Sequence, residues 1–195
     1  MGHGRIGIIT SNQGKLREIG TRLEGSGFEL VSVEAPFVEV QADTLEEVVH
    51  FGLEHARKAG SIPADLPVFK DDSGLFIDAL SGFPGVYSAY VHMTLGCRGI
   101  LDLMEGKANR SAGFRTVIGL DVPGKGTSLF RGEVPGRITL EERGNNGFGY
   151  DPIFSPSGEE RTFAEMSTLE KNSISHRIRA LDRLLEQLQR GLLEF

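Results

Sequence analysis

The apolar run Ile6-Gly7-Ile8-Ile9 stops abruptly at Thr10-Ser11-Asn12-Gln13-Gly14-Lys15, and Leu16, Ile19 and Leu23 then recur at helical spacing. A buried strand that passes through one short polar turn into an amphipathic helix is the opening of a βα unit, and it points to a sheet covered by helices. The turn lacks the G-x-x-x-x-G-K-[ST] spacing of a P-loop and the G-x-G-x-x-G of a dinucleotide site. Its parts still suit an anion. A helix N-terminus offers N–H groups and the positive end of a dipole, with hydroxyls at Thr10 and Ser11, an amide at Asn12 and a cation at Lys15 around it. An ordinary strand–turn–helix with capping residues is the plainer alternative.

The rest of the chain continues the α/β pattern. Residues 5–10 read as a strand, 15–24 as a helix closed by Gly25 and Gly27, and Phe28 to Val33 as a second strand. After a loop over 34–43, a helix spans Thr44 to Ala59, with Leu45, Val48, Val49, Leu53 and Ala56 on one face. Val68-Phe69 starts a strand that ends at Asp71-Asp72-Ser73-Gly74, and Leu75-Phe76-Ile77 continues as extended chain. Residues 86–106 carry one or two short helices. Phe114 to Val122 and Ser128 to Val134 read as strands flanking the Pro123-Gly124-Lys125-Gly126 turn, an antiparallel excursion in the middle of the chain. Ile153-Phe154 is a short strand. The C-terminus reads as helix: Ser167-x-x-Glu170 has the form of a capping box, and Ile174, Ile178, Leu181, Leu184, Leu185 and Leu188 follow at helical spacing.

A length of 195 residues suggests one domain, 1–195, or one domain with a lobe. The net charge of −6 argues against a general nucleic-acid binder, which needs cations to neutralise phosphates, but leaves room for a local cation cluster on one nucleotide. The lone cysteine, Cys97, cannot form an internal disulfide, which fits a reducing, cytoplasmic setting, and packing explains it better than reactivity. No apolar run approaches the roughly 18 residues that suggest a membrane span, and the N-terminus lacks the apolar core of a signal peptide.

Three further polar clusters need explaining. The first is Asp71-Asp72-Ser73-Gly74. Adjacent acids beside an apolar run are costly unless solvated, paired or bound to metal. Neighbouring strand residues point to opposite faces, so one carboxylate faces a site and the other a structural partner; a surface turn is the alternative. The second is Gly144-Asn145-Asn146-Gly147-Phe148-Gly149-Tyr150-Asp151-Pro152. Glycines on both sides of Phe148 let an aromatic face approach a planar ligand; otherwise the loop is flexible and its rings pack on the core. The third is Glu170-Lys171-Asn172-Ser173-Ile174-Ser175-His176-Arg177. Basic groups near a helix start oppose the dipole, a cost that a ligand with acceptor oxygens offsets; a solvated helix face is the alternative. Together the clusters supply an anion cradle, acids for a divalent cation, an aromatic plate and base-edge donors. That set suits a nucleoside triphosphate with Mg²⁺, whose preferred ligands are carboxylate and phosphate oxygens.

These motifs resemble those of the inosine triphosphate pyrophosphatase family, also called XTP/dITP diphosphatases, from about Arg5 to Leu188. TSNQGKLRE is similar to the family's T-G-N-x-x-K-x-x-E, with Ser11 in place of Gly, and VEVQADTLEEVVHFG to its P-E-x-Q segment, with Val38 in place of Pro. DDSGLFIDALSGFPGVYS, GFGYDPIF, TFAEM and EKNSISHR match with little change. The segment around His55 departs from many bacterial members, which carry a lysine there.

The resemblance implies an elongated mixed sheet flanked by helices, two lobes with a central nucleotide cleft, and a homodimer. It implies hydrolysis of ITP, dITP or XTP between the α- and β-phosphates, giving monophosphate and pyrophosphate and clearing deaminated purines from the nucleotide pool. Carried onto this chain, Thr10, Ser11, Asn12, Gln13, Gly14 and Lys15 cradle the phosphates, and Glu39 and Asp72 bind Mg²⁺. Asp72 is the first choice for the proton acceptor and Asp71 the second. Ser73 touches the phosphate or sugar, Phe148 stacks on the purine, and Gly149, Tyr150 and Asp151 shape the base pocket. Lys171, His176 and Arg177 read the base edge or its neighbourhood. A phosphatase releasing inorganic phosphate and a nucleotide-binding regulator without turnover are the rival readings.

Overall fold

The computed structural model describes residues 4–36 and 40–189. Six strands form one sheet in the order β2-β1-β3-β4-β5-β6: β1 (Gly4–Ile8), β2 (Phe28–Ser32), β3 (Val68–Ile77), β4 (Ser111–Val122), β5 (Gly126–Ile138) and β6 (Phe154–Pro156). β1 pairs in parallel with β2 and with β3, and β5 pairs antiparallel with β6. The sheet is therefore mixed. Five helices accompany it among the described residues: α1 (Gln13–Leu23), α2 (Leu45–Lys58), α3 (Ser88–Leu103), α4 (Thr168–Ile174) and α5 (His176–Gln189). None of them is long and apolar enough to cross a membrane.

The contacts divide the chain into two compact units. Unit 1 comprises residues 1–72, 116–132 and 177–195, and unit 2 comprises 73–115 and 133–176, so β3, β4 and β5 each contribute to both. The core of unit 1 joins Ile6 and Ile8 of β1, Ile19 and Leu23 of α1, Phe69 of β3, Ile118 and Leu120 of β4, and Ile178, Leu181, Leu184 and Leu185 of α5. The 3.6-residue spacing read along α1 and α5 thus marks the faces that are buried. In α2, Leu45, Val49, Leu53 and Ala56 are buried. Its start is fixed by a capping box in which the Glu47 N–H donates to Thr44 Oγ1 at 3.2 Å and the Thr44 N–H donates to Glu47 Oε2 at 3.0 Å.

The core of unit 2 joins Leu75 and Ile77 of β3, Val91 and Ile100 of α3, Phe114 of β4, and Phe154 and Phe163. The Phe114 ring meets Phe154 edge-on at 4.7 Å and stacks on His176 at 4.8 Å with 9° between planes.

Residues 88–103 are helical on either side of a break at Gly96 (φ 66°), in keeping with the one or two short helices expected there. Two boundaries differ from the sequence reading. The Asp71–Gly74 stretch does not end a strand: β3 runs unbroken from Val68 to Ile77. The C-terminal helix is two helices, because Ser175 is extended (φ −68°, ψ 148°). Ile174 therefore packs with the core of unit 2, and the remaining members of its predicted series belong to unit 1.

Candidate functional site

In unit 1 the β1–α1 turn is built around Asn12. As the N-cap of α1, its Oδ1 accepts from the Gly14 N–H at 2.9 Å and the Lys15 N–H at 3.1 Å. Thr10 Oγ1 accepts from the Asn12 N–H at 3.2 Å. The helix dipole still points at the turn, but those two amides are already held by the chain, as the plainer reading of a turn with capping residues has it. Ser11, Asn12 and Gln13 are exposed, and Thr10, Gly14 and Lys15 half-buried.

One turn into the helix, Lys15 reaches β3. Its Nζ lies 3.0 Å from Asp71 Oδ2 and also donates to the Asp71 carbonyl at 3.3 Å. The same carboxylate oxygen accepts from Arg177 Nε at 3.1 Å, while Arg177 Nη1 donates to Glu18 Oε2. Arg177, Asp71 and Glu18 are all buried. Burial by itself would raise the Asp71 pKa; the Lys15 and Arg177 cations outweigh it and hold the carboxyl well below the usual carboxylate range. Asp71 is thus a permanent anion bracing two cations.

Strand alternation turns Asp72 to the other face of β3, where it is half-buried together with Lys70. The expectation that one of the two acids meets a structural partner is met by Asp71, which Lys15 and Arg177 hold. Glu39, the second acid assigned to metal, lies outside the described residues. Among the described residues no group of three His, Cys, Asp or Glu side chains gathers around a point that could hold a metal ion.

In unit 2, Asp151 organises the Gly-rich loop. Its Oδ2 accepts from the Phe148 N–H at 2.8 Å and from Lys171 Nζ at 2.6 Å, in a pair whose side chains are almost completely buried. A Cβ at Gly147, where φ is +76°, would lie 2.0 Å from that oxygen, so only glycine lets the loop close on Asp151. The Lys171 ammonium also sits 4.6 Å from the centroid of the half-exposed Phe148 ring. The Gly149 carbonyl accepts from Cys97 Sγ at 3.4 Å, and the Tyr150 hydroxyl donates to the Ser88 carbonyl at 3.2 Å. Tyr150 is therefore buried and ties the loop to α3 through that hydroxyl. His176 is buried against Phe114, and Ser73 is half-buried at the start of the unit.

The predicted residues thus fall into two built groups, Thr10–Lys15 with Asp71 and Arg177, and Phe148–Asp151 with Lys171, and Asp72 lies on the other face of β3 from Asp71. Glu18 had no assigned role in the sequence reading. An acid beside Ile19, on the face that α1 buries, is the signal that a cation must meet it. Asn172, buried with both ends of its amide unpaired among the described residues, was likewise passed over.

The model of the Ham1 family matches residues 6–187. A Pyrococcus horikoshii protein named dITP/XTP pyrophosphatase is 50% identical over 188 residues, covering 96% of this chain and 98% of the relative. A Thermococcus kodakarensis protein of the same name is 48% identical, covering 96% and 99%. Among solved structures, a HAM1 protein from Coxiella burnetii superposes with a TM-score of 0.83 at 33% identity, covering 96% of this chain and 99% of that one. The Staphylococcus aureus Ham1 protein gives 0.80 at 31% identity over the same shares. A match that runs unbroken from the β1–α1 turn through α5, in sequence and in fold, settles the kinship: the chain belongs to the Ham1 family.

Proposed function

We propose that this protein, as one domain over residues 1–195, is a nucleoside-triphosphate pyrophosphatase acting on ITP, dITP and XTP. It releases the monophosphate and pyrophosphate and so clears deaminated purines from the cytoplasmic nucleotide pool. Relatives named dITP/XTP pyrophosphatase at about half identity support the reaction class. The observation that carries the chemistry is the division of labour between two adjacent acids. Asp71 is locked by Lys15 and Arg177, and Asp72, next along β3, is half-buried on the opposite face.

Mg²⁺ fits this donor set. It is typically held by one or two carboxylates, with water and substrate phosphates completing the shell. Asp72 and Glu39 would hold it, and when bound it neutralises charge developing on the phosphates. The chain's own groups do the rest. Water attacks the α-phosphorus, the bond to the oxygen bridging to the β-phosphorus breaks, and Asp72 takes the water's proton as pyrophosphate leaves. Thr10 to Lys15 hold the phosphates, with Asp71 and Arg177 bracing Lys15 from behind, and Ser73 contacts the phosphate or sugar. Phe148 stacks on the purine, and Gly149, Tyr150 and Asp151 shape its pocket. Lys171, oriented by Asp151, donates at the base edge, with His176 and Arg177 in its neighbourhood. A homodimer is part of the proposal and rests on the family resemblance.

Incubating dITP or ITP with the protein and Mg²⁺ and identifying the products tests the reaction. Monophosphate with pyrophosphate supports it. Diphosphate with inorganic phosphate identifies a phosphatase, and binding without any product identifies a regulator.

A further inference from the structure

We propose that Lys70 is a phosphate-binding residue of this protein, a second cation beside Lys15 that engages the β- and γ-phosphates and the pyrophosphate they become. The proposal rests on the pyrophosphatase reading above.

Lys70 occupies a position in β3 where the neighbouring residues Phe69 and Asp71 are buried, and it shares the opposite face of the strand with Asp72. Its stem crosses α2 at Gly52. A Cβ built there would lie 2.5 Å from Lys70 Cε and 2.6 Å from Cδ. α2 therefore keeps a glycine in its interior, at a cost of about 1 kcal/mol relative to alanine, where the lysine passes. The result is a half-buried lysine whose stem is packed against α2. Among the described residues it forms no hydrogen bond and no ion pair. The nearby cations are otherwise matched: Lys15 pairs with Asp71, and Arg177 with Asp71 and Glu18.

A half-buried ammonium that finds no partner among the described residues is unfavourable for folding. Burial disfavours its charge most, the Lys15 cation adds to that, and Asp72 and Asp71 only partly offset the two. A multiply charged anion at the β1–α1 turn would satisfy Lys15 and Lys70 together. Pyrophosphate, the product of the proposed reaction, is such an anion. An adjacent carboxylate, Asp72, argues against a site for an anion lacking a metal partner and suits a metal-accompanied polyphosphate.

The test substitutes Lys70→Met, which keeps a linear apolar stem over Gly52 and removes the charge. Inorganic pyrophosphate binding is measured by calorimetry on wild type and variant with Mg²⁺ present, alongside thermal melts and dITP kinetics. The expected result is pyrophosphate binding weakened about tenfold or more, a Tm equal to or above wild type, and a raised KM for dITP. Pyrophosphate affinity within twofold of wild type, or no pyrophosphate binding by wild type at all, overturns the proposal. Lys70-dependent pyrophosphate binding in a protein that does not turn over dITP would instead sustain the anion site and sink the pyrophosphatase reading.

Discussion

Arg177 and Asp71 are joined across 3.1 Å, guanidinium Nε to carboxylate Oδ2, with both side chains sealed from solvent. This bond makes stability depend on acid. The folded Asp71 carboxyl is held well below its ordinary range because Lys15 and Arg177 outweigh the effect of burial. A depressed folded pKa stabilises fully above the unfolded value of about 3.9 and is lost as pH falls towards the folded one. Denaturant melts of wild type should therefore lose stability steeply below about pH 4. Asp71→Asn should be less stable at neutral pH by about 3–5 kcal/mol, since removing one partner strands buried cations, and its profile should be flatter in acid. Parallel profiles would show that Asp71 does not carry the linkage.

Asp72 should behave differently because it is half-buried on the other face of β3. Asp72→Asn is expected to lower dITP turnover by about a hundredfold or more, the scale for losing metal positioning and proton acceptance together. Its melting temperature should stay near that of wild type. Undiminished turnover at saturating Mg²⁺ removes Asp72 from the chemistry.

What was legible in the sequence follows from which physical signal each feature leaves. The opening strand and helix were readable because Ile6, Ile8, Ile19 and Leu23 carry opposite periodicities into one core. The single β3 strand was not, because Asp71 and Asp72 look like turn chemistry until Lys15 and Arg177 are brought to Asp71 from distant positions. The break at Ser175 was hidden because apolar residues continue in register across it, and Ile174 serves a different core from Ile178. Of the candidate groups, the Asn12 cap and the Gly147–Asp151 loop are local and left a local signature. The Glu18–Arg177 pair, 159 residues apart in the chain, left none beyond a buried acid on an apolar helix face.

Phe148 offers a half-exposed ring with the Lys171 ammonium 4.6 Å from its centroid. Phe148→Ala should weaken nucleotide binding by about 1–3 kcal/mol, the scale for losing one aromatic–base stack. Inorganic pyrophosphate, which has no base, should bind the variant as it binds wild type. Equal weakening of both ligands would mean that the substitution disturbs the loop and not a stacking contact.

Cys97 should be inert in the folded protein. Burial foremost, with the charges of Glu142 and Asp151 adding to it, pushes its thiol up to about 12, and Sγ donates to the Gly149 carbonyl. The thiolate is the reactive form. A disulfide reagent at about pH 8, where an ordinary thiol is partly ionised, should leave native protein unmodified and should label one thiol after unfolding. Rapid labelling of native protein would contradict the burial.

Base discrimination should follow Lys171 more than Arg177. The resemblance places both near the purine edge, and both are donor-only side chains suited to the C6 oxygen of hypoxanthine or xanthine and unsuited to the amino group of adenine. Their surroundings differ. Arg177 directs Nε and Nη1 to Asp71 and Glu18 beside the β1–α1 turn. Lys171 is oriented by Asp151 next to the Phe148 ring. A donor lost opposite the C6 oxygen penalises ITP and spares ATP. A brace lost behind Lys15 penalises every triphosphate alike. Lys171→Met should therefore reduce kcat/KM for ITP more than for ATP, by about 1–3 kcal/mol of lost buried hydrogen bonding. Arg177→Lys should lower both by similar factors and reduce the melting temperature, because a lysine cannot bridge Asp71 and Glu18 with a planar fork. GTP retains the C6 oxygen and should track ITP in its response to Lys171→Met. If Arg177→Lys instead depresses ITP selectively while Lys171→Met does not, the guanidinium reads the base and the ammonium only supports the loop.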